Sequence, residues 1–210
     1  MKIDFKIWNS IKGFMDEDEA KRLYRIAQTA SENGPVLEIG SYCGKSAFII
    51  GSACKEKNSI LFSIDHHKGS EEQQPNEEYF DIDLYDHRFS RINTFPFFQE
   101  TLKRTGLETT VVPIVAASSV AAKMWNTPVS MLFIDGGHSF EAAHADYIAW
   151  ARHIKPKGFL VIHDIFKDPE KGGQAPFQVY EIALESGEYE ALEMTKTLGV
   201  LKKKDMRRNK

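Results

Sequence analysis

A short stretch near residue 40 combines an acidic residue, two glycines and a serine at fixed spacing: Glu38-x-Gly40-x-x-x-Gly44-x-Ser46. An apolar run of strand length that begins at Val36 leads into it, and an apolar helical pattern follows it. Free backbone N–H groups at a turn that leads into a helix attract hydrogen-bond acceptors. The stretch therefore predicts a strand, a tight turn and a helix that together form a ligand-binding corner.

Two nucleotide-binding motifs are close to this stretch but do not fit its spacing. A dinucleotide fingerprint needs a glycine two positions after the first glycine, where the chain has Tyr42. A phosphate-binding P-loop needs a glycine at Ile39, and Glu38 would be a poor neighbour for phosphate oxygens. The apolar run Val129–Ile134 followed by Asp135 would still suit the second motif of a P-loop triphosphatase, so this class remains an alternative.

Chemically suggestive residues also stand at the ends of other apolar runs. The residues concerned are Asp65, Asp135, His163 and Asp164. Strands that alternate with helices predict a parallel sheet, and ligands bind such sheets beyond the carboxyl ends of the strands. We therefore expect an α/β fold with a Rossmann-like, doubly wound, mostly parallel seven-stranded sheet that has helices on both faces and these residues at one edge.

The remaining pattern predicts the individual elements. Strands are expected from Val36 and at Ile60–Ile64, Thr109–Val115, Val129–Asp135, Phe159–Ile162, Tyr189–Met194 and Thr197–Lys203. Pro113 predicts an edge position for its strand, because proline cannot donate to a sheet ladder. A helix is expected over Phe89–Thr105, with a kink or restart at Pro96. Ser118 and Ser119 are expected to cap the helix that follows.

The length of 210 residues suits a single domain, residues 1–210. Within it we expect an N-terminal helical cap over residues 1–34, an active-site insertion loop over 66–88 and a basic tail over 202–210. The loop prediction rests on a polar segment that is longer than a usual strand–helix connection.

Composition limits the partners and the compartment of the protein. The chain has a net charge of −3, and the tail is basic, so the rest of the chain is more acidic than this figure suggests. An acidic body argues against a nucleic-acid partner, and no apolar run is long enough to span a membrane. The N-terminal residues do not resemble a signal peptide, and two cysteines provide no disulfide framework. We therefore expect a cytoplasmic protein.

Two motifs carry a resemblance to a known family. The spacing E-x-G-x-x-x-G-x-S resembles the cofactor loop of class I S-adenosylmethionine-dependent methyltransferases. The motif Ile134-Asp-Gly-Gly-His138 together with His163-Asp164 resembles the metal-dependent O-methyltransferase branch of that class. This branch includes catechol and caffeoyl-coenzyme A O-methyltransferases and bacterial enzymes related to macrocin O-methyltransferase and cephalosporin hydroxylase. The similarity extends from Val36 to Asp164.

The resemblance implies S-adenosylmethionine as the cofactor. The residues that it assigns to cofactor binding are Glu38, Gly40, Ser41, Tyr42, Gly44, Ser46, Asp65, His66, Ser118 and Ser119. It also implies a divalent metal ion, with magnesium or manganese favoured, on Asp135 and Asp164, and it implies His138 as the catalytic base. The chain departs from the catechol branch at Ile165, where that branch has an asparagine that binds the metal, so His163 would have to complete the ligand set.

The function predicted from these residues is metal-assisted O-methylation of a small hydroxylated molecule. A hydroxyl or phenol with a pKa near ~10 is mostly protonated at neutral pH. A divalent cation lowers that pKa, and a nearby base accepts the proton. The alternatives are a P-loop-like nucleotide triphosphatase and a non-catalytic S-adenosylmethionine-binding protein. A homo-oligomer is compatible with the sequence, which does not specify the acceptor.

Overall fold

The computed structural model describes residues 3–137 and 139–205. In chain order the strands are β1 (Val36–Ile39), β2 (Leu61–Asp65), β3 (Tyr85–Asp86), β4 (Arg91–Ile92), β5 (Val111–Val115), β6 (Val129–Ile134), β7 (Ile154–Ile162), β8 (Tyr189–Ala191) and β9 (Gly199–Lys203). The α-helices are α1 (Phe5–Asn9), α2 (Glu17–Ser31), α3 (Lys45–Glu56), α4 (Phe95–Thr105), α5 (Ser118–Ala121), α6 (Phe140–Trp150) and α7 (Ala175–Glu185).

Seven of the strands form one sheet, in the order β5-β2-β1-β6-β7-β9-β8. Strand β9 runs antiparallel to both of its neighbours, and the pairs from β5 to β7 are parallel. Strand β5 lies at the edge, as Pro113 predicts. The expected α/β fold with a mostly parallel, seven-stranded, doubly wound sheet is therefore confirmed.

Helices cover the sheet on both faces and bury a separate apolar cluster on each. One cluster joins the sheet to α1, α2, α3 and α4, and the other joins it to α6 and α7. Strands β1 and β6 at the centre are buried along their whole length, which explains their nearly continuous apolar sequence. The polar residues that follow these strands therefore extend from a rigid, fully packed platform.

The structure differs from the predicted elements in several places. Helix α4 begins at Phe95 instead of Phe89, and Pro96 lies in its first turn, where a missing N–H group leaves no helical hydrogen bond unmade. The preceding residues form the β3–β4 hairpin. Strand β7 begins five residues before Phe159, because the chain pairs with β6 again beyond an irregularity at Val129/Met131. Strands β8 and β9 are shorter than predicted.

Among the described residues, no helix is long and apolar enough to cross a membrane. Helices α1 and α2 lie within the segment expected to form the N-terminal cap. Of the expected basic tail, Lys202 and Lys203 belong to β9, and residues 206–210 lie outside the described residues.

Candidate cofactor and metal site

The central strands end side by side and bring the predicted site residues to one edge of the sheet. In the register of the sheet, Ile39 of β1 lies opposite Ile134 of β6, which in turn lies opposite Ile162 of β7. The next residue of each strand follows the same pattern, since Asp135 N–H donates to the Ile39 carbonyl and His163 N–H donates to the Ile134 carbonyl. The acidic and imidazole side chains thus share one edge, as the sequence predicts.

The glycine turn after β1 contains three residues in the left-handed region: Gly40 (φ +87°), Tyr42 (φ +46°) and Gly44 (φ +91°). Glycine adopts this region without strain. At Gly40 the turn also passes very close to β6, because an added Cβ would lie 2.0 Å from the carbonyl oxygen of Asp135. Only glycine fits there, so the glycine turn packs directly against the end of β6.

Asp65 at the end of β2 fastens the same turn. Its Oδ2 accepts hydrogen bonds from the backbone N–H groups of Ser41 (2.9 Å) and Tyr42 (2.8 Å), and its Oδ1 accepts from the N–H of His67 (2.6 Å). A carboxylate that accepts several backbone N–H groups fixes the geometry of the loop. Asp65 therefore shapes the turn, in addition to the cofactor contact that the resemblance implies.

Glu38 lies under the glycine turn and is fully buried. Its Oε2 accepts from the Ser63 hydroxyl at 2.5 Å, and that hydroxyl is also 2.5 Å from the Ser41 hydroxyl. Its Oε1 is buried and has no hydrogen-bond partner. Burial raises the pKa of Glu38 to about 7, against the opposing effect of the Ser46 and Ser63 hydroxyls. The unpaired oxygen is therefore open to a hydrogen bond from a further donor.

Lys45 follows the glycine turn, at the position of the P-loop lysine in the alternative interpretation. Its ammonium group donates to the carbonyl of Ile11 at 3.1 Å and lies 4.5 Å from the ring centroid of Trp8. Burial lowers its pKa. Lys45 therefore holds the N-terminal segment in place instead of facing a phosphate site, and this argues against the triphosphatase.

The two adjacent histidines after β2 have different environments. The side chain of His66 is 45% exposed, whereas His67 is buried between Phe95 and Phe98. The Nδ1 of His67 lies 2.7 Å from the Thr94 hydroxyl, its Nε2 has no partner, and burial lowers its pKa. The sequence singled out the exposed histidine, and only packing distinguishes the buried one.

The two predicted serines do not cap α5. The helix begins at Ser118 itself, so Ala117 is its N-cap residue, and a methyl side chain cannot cap the helix by a hydrogen bond. The Ser118 hydroxyl instead donates to Asp146 of α6, while Ser119 is exposed. Burial raises the pKa of Asp146 to about 6, although the hydrogen bond from Ser118 opposes this effect. Sequence reasoning missed Asp146, because a single acidic residue in a helix gives no signal.

The predicted metal ligands lie together. Donor atoms of Asp135, His163 and Asp164 are within 4.8 Å of one another. The Nδ1 of His163 is 3.1 Å from Asp135 Oδ1 and 3.4 Å from Asp164 Oδ1. The side chains of the two acids are 22% and 28% exposed, whereas that of His163 is 3% exposed. Two carboxylates and one imidazole that converge at the rim form a set that fits a divalent cation.

The second ring nitrogen of His163 faces a third carboxylate. Its Nε2 lies 3.1 Å from Oε2 of Glu19, a residue in the first turn of α2. Burial disfavours the charged ring, but the carboxylates of Asp135, Asp164 and Glu19 outweigh it and raise the pKa of His163 well above its usual value. These carboxylates therefore favour the charged form of the ring. A bound cation would take the place of the Nδ1 proton.

Ile165 is buried, and its N–H donates to the Thr197 carbonyl at 3.0 Å, so its side chain belongs to the core. His138, the predicted catalytic base, lies outside the described residues.

The fold is the one expected for a class I S-adenosylmethionine-dependent methyltransferase. Residues 37–165, more than half of the chain, match the family model described as "Methyltransferase domain", and the chain belongs to this family. That match covers the glycine turn and the three candidate metal ligands, and it leaves the triphosphatase unsupported.

Solved structures of methyltransferases share the fold at low sequence identity. The SAH-bound methyltransferase PaMTH1 of Podospora anserina has a TM-score of 0.65 and 14% identity, covering 96% of this chain and 87% of that one. An O-methyltransferase from Bacillus cereus in complex with SAH has a TM-score of 0.64 and 11% identity, with 95% and 88% covered. TomG of Streptomyces achromogenes, an O-methyltransferase in complex with SAM, has a TM-score of 0.61 and 13% identity, with 90% and 81% covered.

Proposed function

We propose that this methyltransferase transfers the methyl group of S-adenosylmethionine to a hydroxyl oxygen of a small molecule, with a divalent cation held by Asp135, His163 and Asp164. The observation that carries the proposal is the convergence of these donor atoms within 4.8 Å, beside the glycine turn. Oxygen donors with one imidazole suit magnesium or manganese. The structural relatives from Bacillus cereus and Streptomyces achromogenes are both described as O-methyltransferases, which supports oxygen as the target.

The cofactor is assigned to the glycine turn and the strand ends around it. Glu38 would accept a hydrogen bond from the amino group of the methionine part, and its unpaired buried Oε1 supports this role. The φ values of Gly40 and Gly44 support a close approach of backbone and cofactor. The other residues assigned to the cofactor are Ser41, Tyr42, Ser46, Asp65, His66, Ser118 and Ser119.

The chemistry requires a deprotonated acceptor oxygen in line with the methyl group. When bound, a divalent cation lowers the pKa of a coordinated hydroxyl. The rigid strand ends that carry Asp135 and Asp164 would fix the acceptor relative to the cofactor, and such positioning supplies much of the acceleration. His138 would accept the proton, a role that remains a prediction from the sequence.

The direct test is methyl transfer to a panel of catechols and other hydroxylated metabolites, measured as formation of the demethylated cofactor and of methylated product. We expect turnover that a chelator abolishes and that added magnesium or manganese restores. Cofactor binding without product from any member of the panel would contradict the proposed reaction and favour a non-catalytic binding protein.

A first prediction concerns Glu38→Gln. The variant should bind S-adenosylmethionine about 10- to 150-fold more weakly, because a hydrogen bond to a charged group contributes roughly 1.5–3 kcal/mol. The stability of the protein without cofactor should change in the opposite direction. Since the pKa of Glu38 is raised to about 7 in the folded state, its contribution to stability is lost as the pH rises from about 4.5 through about 7. Above that window Glu38→Gln should be at least as stable as the wild type.

Calorimetric titration at pH 8 and thermal unfolding from pH 5 to 8 measure the two effects. Glu190→Gln, an exposed substitution on β8, is the matched control and should change neither. Unchanged cofactor affinity in Glu38→Gln would refute the assigned contact. Equal pH dependence of stability in wild type and variant would refute a raised pKa.

The N-terminal segment and the predicted insertion loop meet above the glycine turn. Lys12 pairs with Asp81 at 2.5 Å and with Asp83 at 2.9 Å, and these contacts tie the two segments together. Beside them the ring of Phe14 lies 5.5 Å from that of Tyr79 and 6.1 Å from that of Tyr42, a residue of the glycine turn. Phe14 is 62% exposed, a large apolar surface beside the cofactor turn. We propose that this aromatic group contacts the acceptor.

A second prediction follows for Phe14→Ala. Loss of one aromatic contact of about 0.5–1.5 kcal/mol should raise the KM for the acceptor by roughly 2- to 10-fold and leave cofactor affinity unchanged. Steady-state kinetics with an accepted substrate measure this. Phe89→Ala, a similarly exposed phenylalanine in the turn between β3 and β4, is the control. Equal KM values in wild type and Phe14→Ala would exclude the aromatic group from acceptor binding.

A cytoplasmic location, the absence of nucleic-acid and membrane partners and a homo-oligomeric state remain predictions. The two cysteines, Cys43 and Cys54, are free and buried, which supports a reducing compartment.

A further inference from the structure

Glu19 is a buried carboxylate with an unusual number of partners. It is 3% exposed, and each of its oxygens has two contacts. Oε1 accepts from the N–H of Thr197 (2.8 Å) and from its hydroxyl (2.7 Å). Oε2 accepts from the N–H of Asp16 (3.0 Å) and lies 3.1 Å from Nε2 of His163. One side chain of α2 thus joins the start of its own helix, the segment before β9 and the rim of the sheet.

The contact with His163 orients the ring. Because Nε2 is committed to Glu19, the Nδ1 atom faces Asp135 at 3.1 Å and Asp164 at 3.4 Å. Histidines that bind metals commonly donate their other N–H to a carboxylate, which fixes the tautomer and the direction of the ring. The geometry at Glu19 matches this arrangement.

A helix start alone does not account for Glu19. A capping box requires a glutamate at the third helical position that accepts from the N-cap N–H, which Glu19 does with Asp16. A capping box also forms at helix ends that are exposed to solvent, so capping does not require a buried carboxylate. Here the carboxylate is desolvated, and burying a charge is unfavourable unless specific partners compensate it. The additional partners are His163 and Thr197.

We propose that Glu19 is a positioning residue for the metal centre, which holds the Nε2–H tautomer of His163 so that Nδ1 is available to the cation. This inference rests on the proposed metal-assisted function. It assigns to the N-terminal segment a role in metal affinity although none of its residues is a proposed ligand. A second contact joins the start of α2 to the segment before β9, since Lys196, the neighbour of Thr197, pairs with Asp16 at 2.5 Å.

The test is manganese binding in the absence of substrates, followed by electron paramagnetic resonance and calorimetry. Glu19→Gln keeps the shape of the side chain but offers one acceptor oxygen to several donors. We expect a 10- to 100-fold loss of manganese affinity, the usual effect of removing such a partner. Thr197→Val removes a hydroxyl partner of Glu19 and leaves the contact with His163, so its affinity should stay within about 2-fold even if its stability falls. Asp18→Asn, exposed on the same helix, should resemble the wild type.

Each outcome decides the question. Wild-type manganese affinity in Glu19→Gln would overturn the positioning role, because manganese affinity would then be independent of Glu19. An equal loss of affinity in Thr197→Val would also overturn it, because the affinity would then depend on packing in general. If the wild type bound no divalent cation, this inference and the metal assignment would both be wrong, whereas S-adenosylmethionine binding in the same samples would still test the cofactor assignment.

A measurement on the wild type covers the case in which Glu19→Gln does not fold. Long-range 1H–15N NMR with magnesium present reports which ring nitrogen of His163 carries the proton. We expect the proton on Nε2, facing Glu19. A proton on Nδ1 would overturn the proposal.

Discussion

Replacing Gly40 with alanine will destabilise the protein by about 2–5 kcal/mol and abolish cofactor binding. The residue has φ +87°, a conformation that costs an L-residue roughly 1–2 kcal/mol. Its added Cβ would also lie 2.0 Å from the oxygen and 2.5 Å from the carbon of the Asp135 carbonyl. Both atoms belong to the backbone at the end of β6, so the overlap is relieved only by separating the glycine turn from that strand. Overpacking of this kind typically adds about 1–3 kcal/mol.

Two other glycines distinguish the backbone strain of a positive φ from the overlap of the added Cβ with Asp135. Gly187 has φ +73° with nothing within 4 Å of an added Cβ, so Gly187→Ala should show the strain alone. Gly173 has open space and no such φ value, and Gly173→Ala should be nearly neutral. Urea unfolding and calorimetry with S-adenosylmethionine compare the three variants. If Gly40→Ala is no less stable than Gly187→Ala, the close approach to Asp135 has no energetic role.

Much of this architecture could be predicted from local sequence. Strand β6 is a nearly continuous apolar run because both of its faces are covered, and it is followed directly by Asp135, whereas β1 carries its polar residue, Glu38, inside the strand. Asp65, Asp135 and His163 therefore share an edge as soon as the strands are parallel neighbours. Pro113 marked the edge strand for an equally local reason, its missing N–H group.

Other features depend on contacts that a linear pattern does not encode. Glu19 has the position and the residue type of a helix cap, and its meeting with His163 joins residues 144 positions apart. Ser118 looked like a cap because it precedes an apolar segment, but its hydroxyl finds Asp146 on another helix. His66 and His67 are the same residue type in sequence, and only the packing of α4 buries the second.

The contacts of Lys45 also depend on residues that are distant in the sequence. Its place between Gly44 and Ser46 matches only the end of a P-loop motif, which kept phosphate as an alternative partner. The folded chain supplies Trp8 and the carbonyl of Ile11 from the N-terminal segment instead. A motif therefore identifies which atoms are present at a turn, while the distant segment that packs there decides what they bind.

Replacing either proposed acidic ligand will remove metal-dependent turnover. Asp135→Asn and Asp164→Asn each withdraw one carboxylate from a set of two carboxylates and one imidazole. Charge stabilisation by a bound divalent cation is worth several kcal/mol in the transition state, so we expect turnover to fall by roughly 10²–10³-fold. Cofactor affinity should change little, because neither side chain belongs to the glycine turn.

The two variants should differ in thermal stability although both lose turnover. This difference distinguishes the loss of a metal ligand from damage to the fold. Asp135 contacts the buried His163 ring at 3.1 Å, closer than Asp164 at 3.4 Å, so Asp135→Asn should lower the unfolding temperature more. Asp168→Asn changes a partly exposed acid that pairs with Lys171, and as the matched control it should retain turnover and stability.

The test measures initial rates across a magnesium titration and manganese affinity on the same proteins. The expected pattern is loss of turnover and of manganese binding together in Asp135→Asn and Asp164→Asn, with S-adenosylmethionine still bound. Wild-type turnover in both variants, or turnover indifferent to a chelator, would mean that these carboxylates serve only to balance the charge of His163. The acceptor hydroxyl would then have to lose its proton without a cation, and a base such as His138 would remain as the candidate for that step.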